Sequence, residues 1–309
     1  MVQEVEYQIE KSKDNISEND KNELIKEEIN LQFHWYIISF FIIYFGSFFV
    51  PGLIIYWYVR FIFLPYFLKT GNFISLFVEI YPLIALIVMP FILIISYLIH
   101  IFILGFLTKY FWKLTEKISP SQEGIIPRNF NSKTLNFYNI RSFMIKYPKN
   151  AVIKGPFPWL INWLYNFIGT NEIGKQTTIE EQFGADRFIE VGNNSYIGVN
   201  SGFSSHSVEG IFGNIAYYKI KLGDRVTTSS LNCLAPGVEI NDNSYLLPMA
   251  GATKHSRLKG NNYYFGVPLR KIFKKKIMDY LNVSEKDLEN NEKLAEKHWK
   301  IKNEIDKFG

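Results

Sequence analysis

Cysteine is almost missing. The 309 residues hold one, Cys233, which allows no intramolecular disulfide and no cysteine-based metal cluster. Its isolation is compatible with a reducing compartment. Charge is missing from two long stretches: Arg60 is the only charged residue between Phe33 and Phe67, and Glu79 the only acidic or basic one between Asn72 and Thr108. At about 1.5 Å per residue, each stretch exceeds the roughly 20 residues that cross a bilayer. Both are far too long for the apolar core of a signal peptide, and the first 30 residues are charged. The expectation is an integral membrane protein. A strong excess of one charge is missing too. The net charge of +5 comes without interleaved binding motifs, so nucleic acid is not an expected partner.

What the sequence does contain is a period of six. Counted from Ile173, the sixth positions are Ile173, Ile179, Ala185, Val191, Ile197 and Phe203. Counted from Leu222, they are Leu222, Thr228, Leu234, Ile240, Leu246 and Ala252. Neither a helix at 3.6 nor a lone strand at 2 has this period. It fits a parallel β-helix whose flat sides are six residues long, with the twelve positions facing inward. Gly174, Gly192, Gly223 and Asn241 directly follow an inward residue, and they are expected at corners that need positive φ. Leu222 lies 19 residues after Phe203, out of phase with the first run. The interruption is expected to leave the coil as a loop, the usual place for function in a regular solenoid. It carries His206 and Glu209.

Five regions follow. Residues 1–31 are a polar acidic tail with nine carboxylates against four lysines, either mobile or a short amphipathic helix near Leu24, Ile25 and Ile29. Residues 32–117 form a transmembrane helical hairpin with a kink at Pro51, a turn at Lys69–Asn72, and a second segment from Phe73 to about Trp112. Glu79 is either an intramembrane functional charge or an interfacial one. Residues 118–170 are a connector with an amphipathic piece from Trp159 to Ile168, ended by Gly169. Residues 171–270 are the β-helix. Residues 271–309 form a charged helical tail whose Lys274, Lys275 and Lys276 bind anionic lipid or simply face solvent. Lys109, Lys113 and Lys117 after the second span, against Lys69 in the turn, place both termini and the β-helix on the cytoplasmic side of the cytoplasmic membrane.

The hexads, His206 and the Gly266-Val267-Pro268 turn resemble the hexapeptide-repeat acyltransferases, whose coils commonly end in Gly-x-Pro-Ala; Leu269 stands here for the alanine. Gly169-Thr170, Ile173-Gly174, Ser205 to Glu209 and Leu222-Gly223-Asp224, following membrane spans, are similar to the membrane-embedded C-terminal module of poly-lysine synthetase-type nonribosomal peptide synthetases. The resemblance implies a left-handed β-helix, a homotrimer, and acyl-CoA or acetyl-CoA held in the cleft between neighbouring prisms. It implies contacts from Asn232, Ala250, Gly251, Lys254, Gly266, Pro268 and Arg270, with His206 as base. A biosynthetic partner enzyme is implied by the synthetase likeness.

Acyl transfer needs a base to take the acceptor's proton, and a histidine suits this at neutral pH. Glu209 is near enough in sequence to orient the imidazole of His206. The acceptor is a small molecule or a lipid-linked amine or hydroxyl. Of the other histidines, His34 and His100 fall in the apolar stretches and His298 in the tail. Two rival readings stand beside this one. His206 and His255 belong to a zinc site of the carbonic-anhydrase kind, which lacks an evident third ligand, so no metal is expected. Alternatively the prism is a non-catalytic trimeric membrane scaffold.

Overall fold

The computed structural model describes residues 33–272, apart from 69–71, 129–131, 182, 185–186 and 211–212, with isolated positions in the tail beyond. The expectations for the N-terminal tail, for the turn at 69–71 and for Lys274, Lys275 and Lys276 lie outside the described residues. Two compact units form. The first takes the described chain up to Ile173, with Gly184–Glu190 and Ser204–Ile220; the second takes Gly174–Phe183, Val191–Phe203 and the chain from Lys221 onward.

In the first unit, the helix Phe33–Tyr58 runs on through π-helical turns over Val59–Leu68. Pro51 lies inside the regular helix, and the irregularity surrounds Pro65 instead. Proline has no N–H for the carbonyl four residues back, and wider turns accommodate such a gap. A one-turn helix Ser75–Val78 precedes the long helix Ile80–Ile118, so the second segment starts later and ends later than Phe73 and Trp112. Pro82 sits in its first turn, where no intrahelical N–H is needed. Glu79 is the exposed N-cap residue, where a carboxylate complements the helix dipole. Its place is the start of that helix, not its middle.

Small residues bring the two long helices together. Ser39, Ser47, Ala85, Ser96 and Thr108 are buried. A Cβ on Gly46 would lie 3.0 Å from Leu107 Cδ1. Such stripes let helix backbones approach closely where solvent is apolar. Tyr58 donates to the carbonyl of Ala85 at 2.5 Å, and His100 Nδ1 lies 3.2 Å from the carbonyl of Ser47. The outward faces carry Phe41, Phe45, Phe49, Phe91, Phe102 and Phe106, all exposed. Both helices are long and apolar enough to cross a membrane.

The connector forms the helices Lys133–Met144, Lys146–Ile153 and Ile161–Ile168. Ser132 caps the first by accepting Leu135 N–H at 3.1 Å. The third buries Ile161, Leu164, Tyr165 and Ile168, the amphipathic stripe expected of that segment, and ends at Gly169 with φ 85°. A strand outside the hexad pattern, Gly124–Ile126, pairs antiparallel with Asn214–Tyr217, which pairs in turn with His206–Glu209. The interruption is therefore a hairpin, not an irregular loop. Its core joins Ile126, Leu135, Tyr138, Ile215 and Tyr217.

The second unit is a coil of short parallel strands in three walls. Thr178–Ile179, Tyr196–Ile197, Thr227–Thr228, Tyr245–Leu246 and Tyr263–Phe265 make one wall. Gly202–Phe203, Cys233–Leu234 and Gly251–Ala252 make another, and Ile220–Leu222, Glu239–Ile240 and Arg257–Leu258 pair along the third. Stacked positions lie 18 residues apart, three sides of six. Across the interruption they lie 31 apart, thirteen more than one turn. Eleven hexad residues are buried, Ile197 to 2% exposure and Leu246 to 0%; Ala185 lies outside the described residues.

The corners differ from the expectation. Gly174, Gly192, Gly223 and Asn241 do not have positive φ. That conformation falls three residues after most inward positions, at Gln176, Asn194, Asn200, Arg225, Leu231, Gly237, Asn243, Met249 and His255, and again at Asn261 after the buried Leu258. The glycines serve close approach instead. A Cβ on Gly174 would lie 2.5 Å from the carbonyl carbon of Gly192, and one on Gly192 would lie 2.5 Å from that of Gly223. The corner three residues after Phe203 would be residue 206, and there the chain departs into the hairpin.

Candidate functional site

His206 begins the edge strand of the hairpin, opposite Tyr217. It is half-buried, with its ring edge-on to Tyr138 at 5.9 Å between centroids. Its backbone carbonyl accepts a hydrogen bond from the Ser204 hydroxyl. Ser207 donates to the Glu209 carboxylate, so these two side chains share a face. Strand alternation turns His206 to the other face. The structure thus gathers His206 with Tyr138 and Tyr217, and sets the Glu209 carboxylate on the opposite side of the strand.

Arg187, at 4% exposure, braces this cluster. It donates to the Tyr138 carbonyl at 2.9 Å and to the Ser142 hydroxyl, and its guanidinium lies 4.3 Å from the Tyr138 ring centroid and 5.3 Å from that of Tyr217. Its own carbonyl accepts the Ser205 hydroxyl at 3.0 Å, which ties the base of the hairpin. Burial pushes the phenols of Tyr138 and Tyr217 up, with Arg187 opposing in both. Burial pulls the Arg141 guanidinium down, against the pull of the Glu116 carboxylate 3.3 Å away. Arg141 also donates to the Ser119 carbonyl at 2.6 Å.

Beside Tyr217, wholly within the first unit, lies a cavity of about 300 Å³, with Trp112, Glu116, Thr170, Phe188, Glu190 and Lys219 among its lining residues. Phe188 stacks on Tyr217 at 4.6 Å, and Lys219 pairs with Glu190. None of these residues is in the hexad pattern, so periodicity could not find them. The apolar run Ile215 to Tyr218 inside the interruption was the available signal.

In the second unit, Asn232 is buried with its amide occupied inside the coil: Oδ1 accepts Ala250 N–H at 2.9 Å and Nδ2 donates to the Ser229 carbonyl at 2.7 Å. Gly251 donates to the Gly266 carbonyl and accepts from Leu269, both at 3.0 Å. Val267 packs so closely on Gly251 that a Cβ there would come within 2.9 Å of it. The Val267–Pro268 peptide is cis, and Arg270, exposed, opposes Phe265 in an antiparallel closing pair. Gly251, Gly266, Pro268 and Arg270 are thus brought to one turn, and Lys254 is half-buried in the coil nearby. His255, at φ 56°, lays its ring over Gly237. Among the described residues, no three His, Cys, Asp or Glu gather to hold a metal ion.

No family model and no curated protein matches the sequence. Among solved structures, the chain is similar to a hexapeptide-repeat acetyltransferase of Vibrio cholerae O1 biovar eltor complexed with acetyl coenzyme A, at 20% identity and a TM-score of 0.32, covering 35% of this chain and 61% of that one. It is similar to a galactoside acetyltransferase in complex with coenzyme A, at 28% identity and a TM-score of 0.28, covering 33% and 54%. A serine acetyltransferase complex with CoA gives 10% identity and a TM-score of 0.30, covering 57% of each. This chain therefore spans about three-fifths or less of the length of these structures. The three-walled coil rests on its own strand pairings.

Proposed function

We propose that this protein is a membrane-anchored acyltransferase that moves an acyl group from a CoA thioester to an amine or hydroxyl acceptor, with His206 as general base. The observation that carries this is placement: a half-buried histidine on a hairpin that leaves a regular hexad coil at the one corner where the repeat breaks. In the reaction, neutral His206 takes the proton from the acceptor as its nitrogen or oxygen attacks the thioester carbonyl. The C–S bond then breaks, and the imidazolium returns the proton to the leaving thiolate. Tyr138 holds the ring edge-on, and Arg187 fixes Tyr138.

The same reading makes the coil left-handed and the assembly a homotrimer, with acyl-CoA or acetyl-CoA lying in the cleft between neighbouring prisms beside the turn of Gly251, Gly266, Pro268 and Arg270. The two long helices cross the cytoplasmic membrane as a hairpin. Their large exposed apolar side chains support this. The test is thiol release from acetyl-CoA by purified protein with membrane extract as the acceptor source. His206→Ala is expected to lower kcat at least about a hundredfold with the fold intact. In the parent protein, kcat/KM is expected to fall as acid protonates the imidazole. Full activity in His206→Ala would remove the assignment.

A further inference from the structure

The cavity beside Tyr217 is charged in one sense and aromatic in its walls. Glu116, Glu172 and Glu190 line it against one lysine, Lys219. Glu116 is already engaged through both oxygens, by Arg141 and by the Ser121 hydroxyl and N–H. Glu190 pairs with Lys219 through one oxygen only, Oε1. Trp112, Phe188 and Tyr217 supply the aromatic surface, and ring faces attract cations. The protein already seats one ammonium in this fashion: Lys219 Nζ lies 5.4 Å from the Phe188 ring centroid while paired with Glu190.

A second feature points to a ligand. Thr170 lines the same cavity, is 5% exposed, and its hydroxyl has no hydrogen-bond partner. Its backbone is fully used, with N–H given to the Tyr165 carbonyl and its carbonyl accepting Phe188 N–H. A buried hydroxyl without a partner is an exception in folded proteins, and a donor brought into the cavity is one way to satisfy it. The volume, about 300 Å³, is at the small end of ligand sites and suits a molecule of headgroup size.

We propose that this cavity binds an organic ammonium, held between the free oxygen of Glu190, the Thr170 hydroxyl and the aromatic walls. The chemistry is shared by a free amine and by the amine headgroup of a lipid. Trp112 and Glu116 stand on the last turns of the long apolar helix, where either would arrive. The site stands or falls independently of acyl transfer, because it is read by binding alone.

Full-length protein in non-ionic detergent is titrated with n-butylammonium chloride and, separately, with short-chain phosphatidylethanolamine; butyl sulfate is the anionic control. Saturable binding of either ammonium probe is expected, at least about tenfold weaker in Glu190→Gln, the loss of one charged hydrogen bond. Binding of the free amine marks a soluble ligand, and binding of the phospholipid alone marks a headgroup; each supports the site. Thr170→Val keeps the shape and should weaken binding several-fold, which carries the test if Glu190→Gln fails to fold. Lys219→Met frees Glu190 and should tighten ammonium binding. No saturable binding, equal affinity for butyl sulfate, affinity unchanged in both Glu190→Gln and Thr170→Val, or loss of binding in Lys219→Met would each overturn the proposal.

Discussion

At the scale of the residue, the coil separates two uses of a missing or tolerant side chain that look alike in a sequence. Gly192 has ordinary backbone angles but touches the next turn, and a Cβ there would lie 2.5 Å from the Gly223 carbonyl carbon. Asn243 has φ 56°, and its side chain donates to Asn261 one turn on at 2.9 Å while accepting from Arg225 at 2.6 Å. Asparagine tolerates the left-handed region because its short side chain bonds locally. Gly192→Ala is therefore expected to destabilise the coil by about 1–3 kcal/mol through overpacking against backbone. Asn243→Val should cost about 1–2 kcal/mol through φ strain, while Asn243→Gly costs less. Denaturant midpoints of the three variants check this ordering. Equal stability of Gly192→Ala and the parent would mean that the turns stack less tightly than described.

At the scale of the element, the strand Asn214–Tyr217 is the centre of a three-stranded sheet that also takes in His206. Ala216 opposes Ile125 on one side and Ser207 on the other. Proline there removes a ladder donor from a central strand, at a cost of about 3 kcal/mol or more. Ala216→Pro should release amide exchange at residues 206–209 and 124–126, and abolish the proposed transfer, while residues 227–228 and 245–246 stay protected. Loss of protection in both sets together would mean that the hairpin is part of the coil's cooperative unit. The sequence showed the coil plainly, because a period of six sustained over two runs matches neither a helix nor a flat strand, and residues such as Ile197 and Leu246 are buried as that period requires. It showed the interruption but not its form, since a hairpin whose outer partner is Gly124–Ile126 depends on pairing across about ninety residues. The cavity was invisible for the same reason. Trp112, Thr170, Phe188 and Lys219 follow no shared period and meet only through tertiary packing.

At the scale of the whole molecule, the proposed membrane-anchored transferase requires its coil to face the cytoplasm, where CoA is held. The helix Ile80–Ile118 has 39 residues, roughly 58 Å at 1.5 Å each, nearly twice a hydrocarbon core of about 30 Å. In the proposed span such a helix has turns to spare beyond the bilayer, and its polar end is the one with Lys109, Lys113 and Lys117, spaced by four. Lys109 lies 4.0 Å from the Phe167 ring centroid, so the amphipathic helix Ile161–Ile168 packs at that end. Basic residues there favour the cytoplasmic side by the positive-inside tendency. The protein carries its own reporter, because its one cysteine, Cys233, is exposed. A membrane-impermeant maleimide applied to intact cells should leave Cys233 unlabelled, and labelling should appear only after permeabilisation. A second probe, Lys221→Cys in a Cys233→Ser background, places the thiol at another exposed strand position and should give the same sidedness. Equal labelling of both thiols in intact and permeabilised cells would put the coil outside, reverse both helices, and deny the proposed transferase its cytoplasmic CoA.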